Sequence, residues 1–160
     1  MHGYCSMCGK CCEAIRLTVP KDEIHKHAES ILRRWTRARR PDKMVNEADN
    51  DWIFVDQHWH PMTEVEAFAV NPMHEYWSIM HPEYNGHLYY FTCDMYDPAT
   101  HKCTAHDERP RICRDYPYSR FGNLDETLWY SPTCGYIDEA DPTVKTSMID
   151  LALELEKVPT

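Results

Sequence analysis

Four of the eight cysteines of this chain fall within eight positions, "CSMCGKCC" at residues 5–12, and the others stand at Cys93, Cys103, Cys113 and Cys134. Such crowding constrains the start of the fold, because sulfur atoms held this close along the backbone serve a common chemistry. Three chemistries compete: a disulfide framework, a redox dithiol and a set of metal ligands. A disulfide needs partner Cα atoms roughly 4.4–6.8 Å apart with facing side chains. Cysteines crowded in sequence can each reach a distant partner, as they do in small secreted domains.

The opening MHGYCSMCGKCC has neither the charged region nor the apolar core of a secretory signal. A cytoplasmic, reducing location is therefore expected, where thiols stay unpaired. Together with the adjacent Cys11 and Cys12, this weighs against disulfides. A thioredoxin-like dithiol needs a single Cys-x-x-Cys at a strand-to-helix junction, whereas Cys5 and Cys8 open the chain. Metal ligation accommodates the pattern best. Two residues between cysteines allow a tight turn to bring both sulfurs onto one cation. Cys5, Cys8 and Cys11 have the spacing with which bacterial ferredoxins hold three corners of an iron–sulfur cluster, and four thiolates equally suit Zn²⁺. The spacing leaves open [4Fe-4S] or Zn²⁺, and one site or two.

Composition removes several other functions. Glycine is scarce, five in 160 residues, and neither GxGxxG nor GxxxxGK[ST] occurs, so the usual phosphate-cradling loops are missing. A formal net charge of −9 argues against charge-driven binding to nucleic acid or to an anionic membrane surface. No apolar run reaches the ~18–20 residues of a membrane-spanning helix. The charge is uneven, however. Residues 21–40 hold seven Lys/Arg against three Asp/Glu, ending in Arg33, Arg34, Arg37, Arg39 and Arg40. Those arginines read as a solvated face at a helix C-terminus, or as a docking patch for an acidic protein partner or a phosphate.

Along the chain, residues 1–14 read as a thiol-rich loop. Thr18-Val19-Pro20 starts a helix with Thr18 as N-cap, and Ile24, Ala28, Ile31, Leu32 and Trp35 form one apolar stripe before Pro41 stops it. WIFV (52–55), EVEAFAV (64–70), LYYFTC (88–93) and TLWYSP (127–132) have the β-branched and aromatic content of strands. Residues 71–86 read as a short helix or loop between Pro72 and Pro82, closed by an Asn85-Gly86 turn. Asp141-Pro142 starts a final helix with a stripe of Val144, Met148, Leu151, Ala152 and Leu155. The expected fold is α+β: one small domain over 1–160 with a helix near each end, a few short strands and a cysteine-rich metal site.

"DERPRICRDYP" at 107–117 sharpens the metal reading. Asp107 is placed to cap a short helix carrying Pro110 in its first turn and Cys113 one turn later, stopped by Pro117. Arg109, Arg111 and Arg114 surround that cysteine. Four thiolates on Zn²⁺, or on an oxidised four-iron cluster, leave a net charge near −2, which guanidinium and amide donors offset. Arg114 is the leading candidate to support the ligands, Arg109 a second that could equally pair with a carboxylate. His106 is a candidate alternate or supporting ligand.

These segments, CSMCGKCCEAIRLT and CDMYDPATHKCTAHDERPRICRDYP with a final cysteine, resemble the CxxCxxCC cysteine-cluster family of YkgJ-like candidate zinc- or iron-chelating domains. The resemblance covers about 5–23 and 93–134, leaving 42–90 as an insertion of unknown role. It implies that Cys5, Cys8, Cys11, Cys12, Cys93, Cys103, Cys113 and Cys134 form the metal site. The family usually has an aromatic residue where His106 stands here.

His58, His60, His74 and His81 offer a second donor set. His58 and His60 would share a strand face, but without a visible third ligand they read as surface or packing histidines. The expected function is a metal-binding protein whose site staples the fold, with a structural or interaction role. A protein partner would dock on the arginine face at 33–40 or on residues 42–90. The rival reading is an iron–sulfur redox or SAM-linked modifying enzyme, through resemblance to a flagellin lysine N-methylase. Against it, radical-SAM chemistry typically uses CxxxCxxC, whereas Cys5, Cys8 and Cys12 run in the reverse order.

Overall fold

The computed structural model describes residues 10–38 and 46–114. Its architecture is α+β, as the sequence implies. In chain order the elements are α1 (Lys10–Glu13), β1 (Ile15–Leu17), α2 (Lys21–Arg37), α3 (Glu47–His58), β2 (Trp59–Met62), α4 (Glu64–Val70) and α5 (Met73–Met80). Then follow β3 (Tyr89–Cys93), β4 (Tyr96–Asp97), β5 (Lys102–Cys103) and α6 (Arg111–Arg114), with short 3-10 turns at Pro82–Tyr84 and His106–Glu108.

Strand β3 is the centre of an antiparallel three-stranded sheet, ordered β1-β3-β2. Ile15 lies opposite Phe91 on one side, and Pro61 lies opposite Phe91 on the other. Successive strand side chains face opposite sides, so β3 divides the interior in two. Phe91 and Cys93 join Ile24 of α2, Val55 of α3 and Trp59 in one core, while Tyr90 joins Ala67 of α4 and Ala14 in the other. Helices therefore cover both faces of the sheet. Residues 46–90 supply α3, β2, α4 and α5, so much of this core comes from the stretch with no recognised counterpart in the sequence reading.

The stripe predicted for α2 is largely the buried one: Ile24, Ala28 and Ile31 are buried, whereas Leu32 is 43% exposed. The helix begins at Lys21 with Pro20 at the N-cap, rather than at Thr18, and ends at Arg37. It runs antiparallel to α3, since Lys21 pairs with Asp56 at one end and Arg34 with Asp49 at the other.

Two predicted strands are helices. WIFV lies in α3, where the Asn46 side chain accepts the Asp49 N–H at 2.8 Å and starts the helix. EVEAFAV is α4, opened by a capping box in which Thr63 and Glu66 satisfy each other's backbone donors. Capping together with tertiary packing of Val55 and Ala67 outweighs the modest strand preference of these side chains. Likewise, residues 10–13 are one helical turn, not loop. The short helix, the 3-10 turn and the Gly86 turn (φ 82°) match expectation over 71–86. The strand at 127–132 and the helix after Pro142 lie outside the described residues.

His74 ties α5 to the sheet: its Nε2–H donates to the Ala14 carbonyl at 2.9 Å, and its ring meets Tyr90 edge-on. Burial pushes its pKa down to about 4 from an ordinary 6.5, with the Arg16 charge adding to the fall and the Ala14 bond opposing it. The unfolded chain thus binds a proton at about pH 6.5 that the native state refuses until about pH 4. This contribution is complete above pH 6.5 and is lost as pH falls through that window, on the order of 3 kcal/mol. Urea titrations across this range should show a shallower pH dependence for His74→Gln, which keeps a donor but no titrating ring.

Candidate metal centre

Cys93, the last residue of β3, is buried with its side chain on the α2–α3 face. Directly after it the chain turns: the Asp94 N–H donates to His58 O at 3.0 Å, and β4 and β5 pair with Tyr96 opposite Cys103. The hairpin is held by the Asp97 carboxylate, which accepts from Ala99 N–H at 3.0 Å and Thr100 hydroxyl at 2.6 Å. These bonds keep the Asp97 carboxyl below its usual pKa. His101 takes the left-handed conformation (φ 55°) that closes the turn. Beyond it, Cys113 in α6 packs against the same core as Cys93. Helix α6 starts later than expected: Asp107 sits in the preceding 3-10 turn, and Pro110 O accepts the Cys113 and Arg114 N–H groups.

Cys12 lies in α1, which packs on β3. Glu13, beside the half-buried Cys12, accepts the Tyr96 hydroxyl at 2.7 Å, and Tyr96 is the residue facing Cys103. Segments more than eighty positions apart in the chain are joined there. Cys93 and Cys103 are free thiols. Cys5, Cys8, Cys134 and the Cys11 side chain lie outside the described residues.

Burial pushes the Cys93 thiol pKa up, and Cys103 and Asp94 push it further. The Met95 backbone N–H and the Trp59 indole act in the opposite direction. A sulfur with donors beside it but too little positive charge around it is suited to a cation, which displaces the proton and supplies that charge. The donor chemistry thus fits zinc or iron. Among the described residues no three Cys, His, Asp or Glu side chains gather closely enough to hold a metal.

Among the other predicted residues, Arg109 Nε donates to His106 O at 2.8 Å, bracing the turn before α6. Arg114 donates to Glu47 of α3, and Arg111 holds Asp51 through both its backbone N–H and Nε, at 3.0 and 2.8 Å. Helix α6 is thereby fastened to α3. The His106 ring lies 3.4 Å from the Asp107 carboxylate. On the arginine face, Arg33 pairs with Glu29 at 2.8 Å and Arg34 reaches both Asp49 oxygens at 3.0 Å; Arg39 and Arg40 lie outside the described residues.

Two residues here carry weight that the sequence reading did not assign. Asp94 is gripped by His58 Nδ1 at 2.9 Å and His60 Nε2 at 3.0 Å. The His60 bond leads in holding its carboxyl below the usual range. This pair of histidines thus meets a carboxylate beside Cys93. Trp59 faces Cys93 across the ladder. The sequence pattern signals neither role, since both depend on strand register.

No helix among the described residues is long and apolar enough to cross a membrane. No curated protein and no solved structure matches the chain. The model of the CxxCxxCC family, titled "Putative zinc- or iron-chelating domain", matches residues 4–135, a span that holds all eight cysteines. The chain belongs to the CxxCxxCC family.

Proposed function

We propose that this protein holds zinc or iron through its cysteine thiolates, and that the metal fastens the N-terminal cysteine segment to the β3–α6 region. The observation that carries this reading is the Glu13–Tyr96 hydrogen bond, 2.7 Å long, between the neighbour of Cys12 and the residue opposite Cys103. The ligands are drawn from Cys5, Cys8, Cys11, Cys12, Cys93, Cys103, Cys113 and Cys134. Bound as Zn²⁺ or as a [4Fe-4S] cluster, the metal supplies positive charge to the thiolates, among them that of Cys93, whose burial favours the neutral thiol. Arg109, Arg114 and His106 support the segment around Cys113.

The role is structural, in a reducing cytoplasmic setting, and serves an interaction surface for a protein partner formed by residues 33–40 and 42–90. Purification under anaerobic, reducing conditions, followed by metal analysis and a visible spectrum, tests the reading. Stoichiometric zinc in a colourless protein, or iron with sulfide in a brown one, is the expected outcome. Protein that is folded, reduced and free of either metal would contradict it.

A further inference from the structure

We propose that the Trp59 indole N–H is a built-in hydrogen-bond donor to the Cys93 sulfur in its metal-bound state, placed to hold thiolate charge inside the core. This rests on the reading of Cys93 as a metal ligand. The Asp94 N–H bond to His58 O makes 58 and 94 a hydrogen-bonded pair, so the next pair, Trp59 and Cys93, is of the closer kind, with Cα atoms about 4.5 Å apart. Their side chains share a face and the same core.

Trp59 is 1% exposed, and its Nε1 is buried with no hydrogen-bond partner among the described residues. A buried indole N–H normally finds an acceptor, and leaving it without one is destabilising. The buried residues around it, Ile24, Val55 and Phe91, carry no side-chain acceptor. Of the sulfurs at this core, those of Cys93, Met95 and Cys113, that of Cys93 is the one standing opposite Trp59 in the ladder. A neutral thiol accepts weakly. A thiolate keeps negative charge and accepts about twice as strongly. In the thiol form the indole completes no hydrogen bond to Cys93. Metal loading therefore improves the acceptor without requiring Trp59 to change its place in the ladder. Trp59 acts on the metal through Cys93 and is a positioning residue.

The test uses the full chain, reduced, isotope-labelled and loaded with NMR-active cadmium as a stand-in for zinc. The Trp59 indole proton, identified by its absence in Trp59→Phe, is expected to shift on loading and to show scalar coupling to the cadmium nucleus through the sulfur. In chelator competition, Trp59→Phe is expected to bind cadmium about 10–100-fold more weakly. Trp52→Phe, which removes an indole packed against the same core, should bind as the wild type does.

An indole proton uncoupled to cadmium that Cys93 demonstrably ligates would overturn the proposal while leaving the metal reading intact. Equal losses in both variants would do the same, by showing that packing and not the N–H is responsible. Wild-type protein whose Cys93 takes no part in binding, judged against Cys93→Ser, would overturn the metal reading at Cys93 and the proposal with it.

Discussion

Stripping the metal from the reduced protein is expected to remove on the order of 10 kcal/mol of folding free energy, as for thiolate zinc sites. That is comparable to the whole stability of an ordinary domain, about 5–15 kcal/mol. The effect should be uneven. Strands β4 and β5 have two residues each, and α1 and α6 have four among the described residues. None of these can bury much apolar surface alone. Their fixed positions depend on a few polar contacts, such as Tyr96 with Glu13 and Arg111 with Asp51. The α2–α3–β3 core, with Ile24, Val55, Trp59 and Phe91 buried, has apolar area of its own. Chelation should therefore loosen the cysteine-bearing segments first and leave a residual, less cooperative helical core. Urea unfolding followed by near-ultraviolet and far-ultraviolet circular dichroism, with and without chelator, measures both effects. Stability unchanged within about 1 kcal/mol would show that the metal does not staple the fold.

The second large effect is expected from Phe91→Ala, a loss of about 3–5 kcal/mol. Phe91 is 1% exposed and sits on the central strand, flanked by Ile15 and Pro61. Its ring lies 6.2 Å from that of Trp59. Truncation leaves a cavity that β3 cannot close, because ladder bonds on both sides fix its backbone. With a urea slope of about 2 kcal/mol per molar, the midpoint should fall by about 1.5–2.5 M. Val65, 78% exposed on α4, is the matching control, and Val65→Ala should change stability by no more than about 0.5 kcal/mol. A similar small change at Phe91 would contradict the placement of the core. Phe91 also lies two residues before Cys93, so its loss should weaken metal binding as well as stability.

How much of this was legible in the sequence differs by element. The α2 stripe was readable because Ile24, Ala28 and Ile31 follow helical spacing for two turns. β3 was readable because a run of aromatic and β-branched residues is bounded by turns. α3 and α4 carry local strand preference in their side chains, and their caps outweigh it. The Thr63-x-x-Glu66 signature was nevertheless in the sequence, and it correctly marks the start of α4. The cysteines announced the candidate site, since their crowding has few chemical uses. Trp59 and Asp94 were silent. Trp59 matters by facing Cys93, and Asp94 by lying within reach of two histidines from the α3–β2 junction. Such relations arise from register and from the position of a turn, which no single-residue pattern encodes. Similarly, Arg111 stands among the arginines around Cys113 in the sequence, but its pairing with Asp51 depends on the packing of α6 on α3.

The account rests on thiolates from both cysteine segments sharing metal, and differential alkylation of the full chain tests this most directly. Each cysteine is mapped by peptide mass before and after chelation, under reducing conditions. Cys12 and Cys103, both half-buried, are expected to resist alkylation while metal is bound and to become reactive together when it is removed. Alkylation rates indifferent to metal, or recovery of these cysteines as disulfides from unreduced protein, would contradict it.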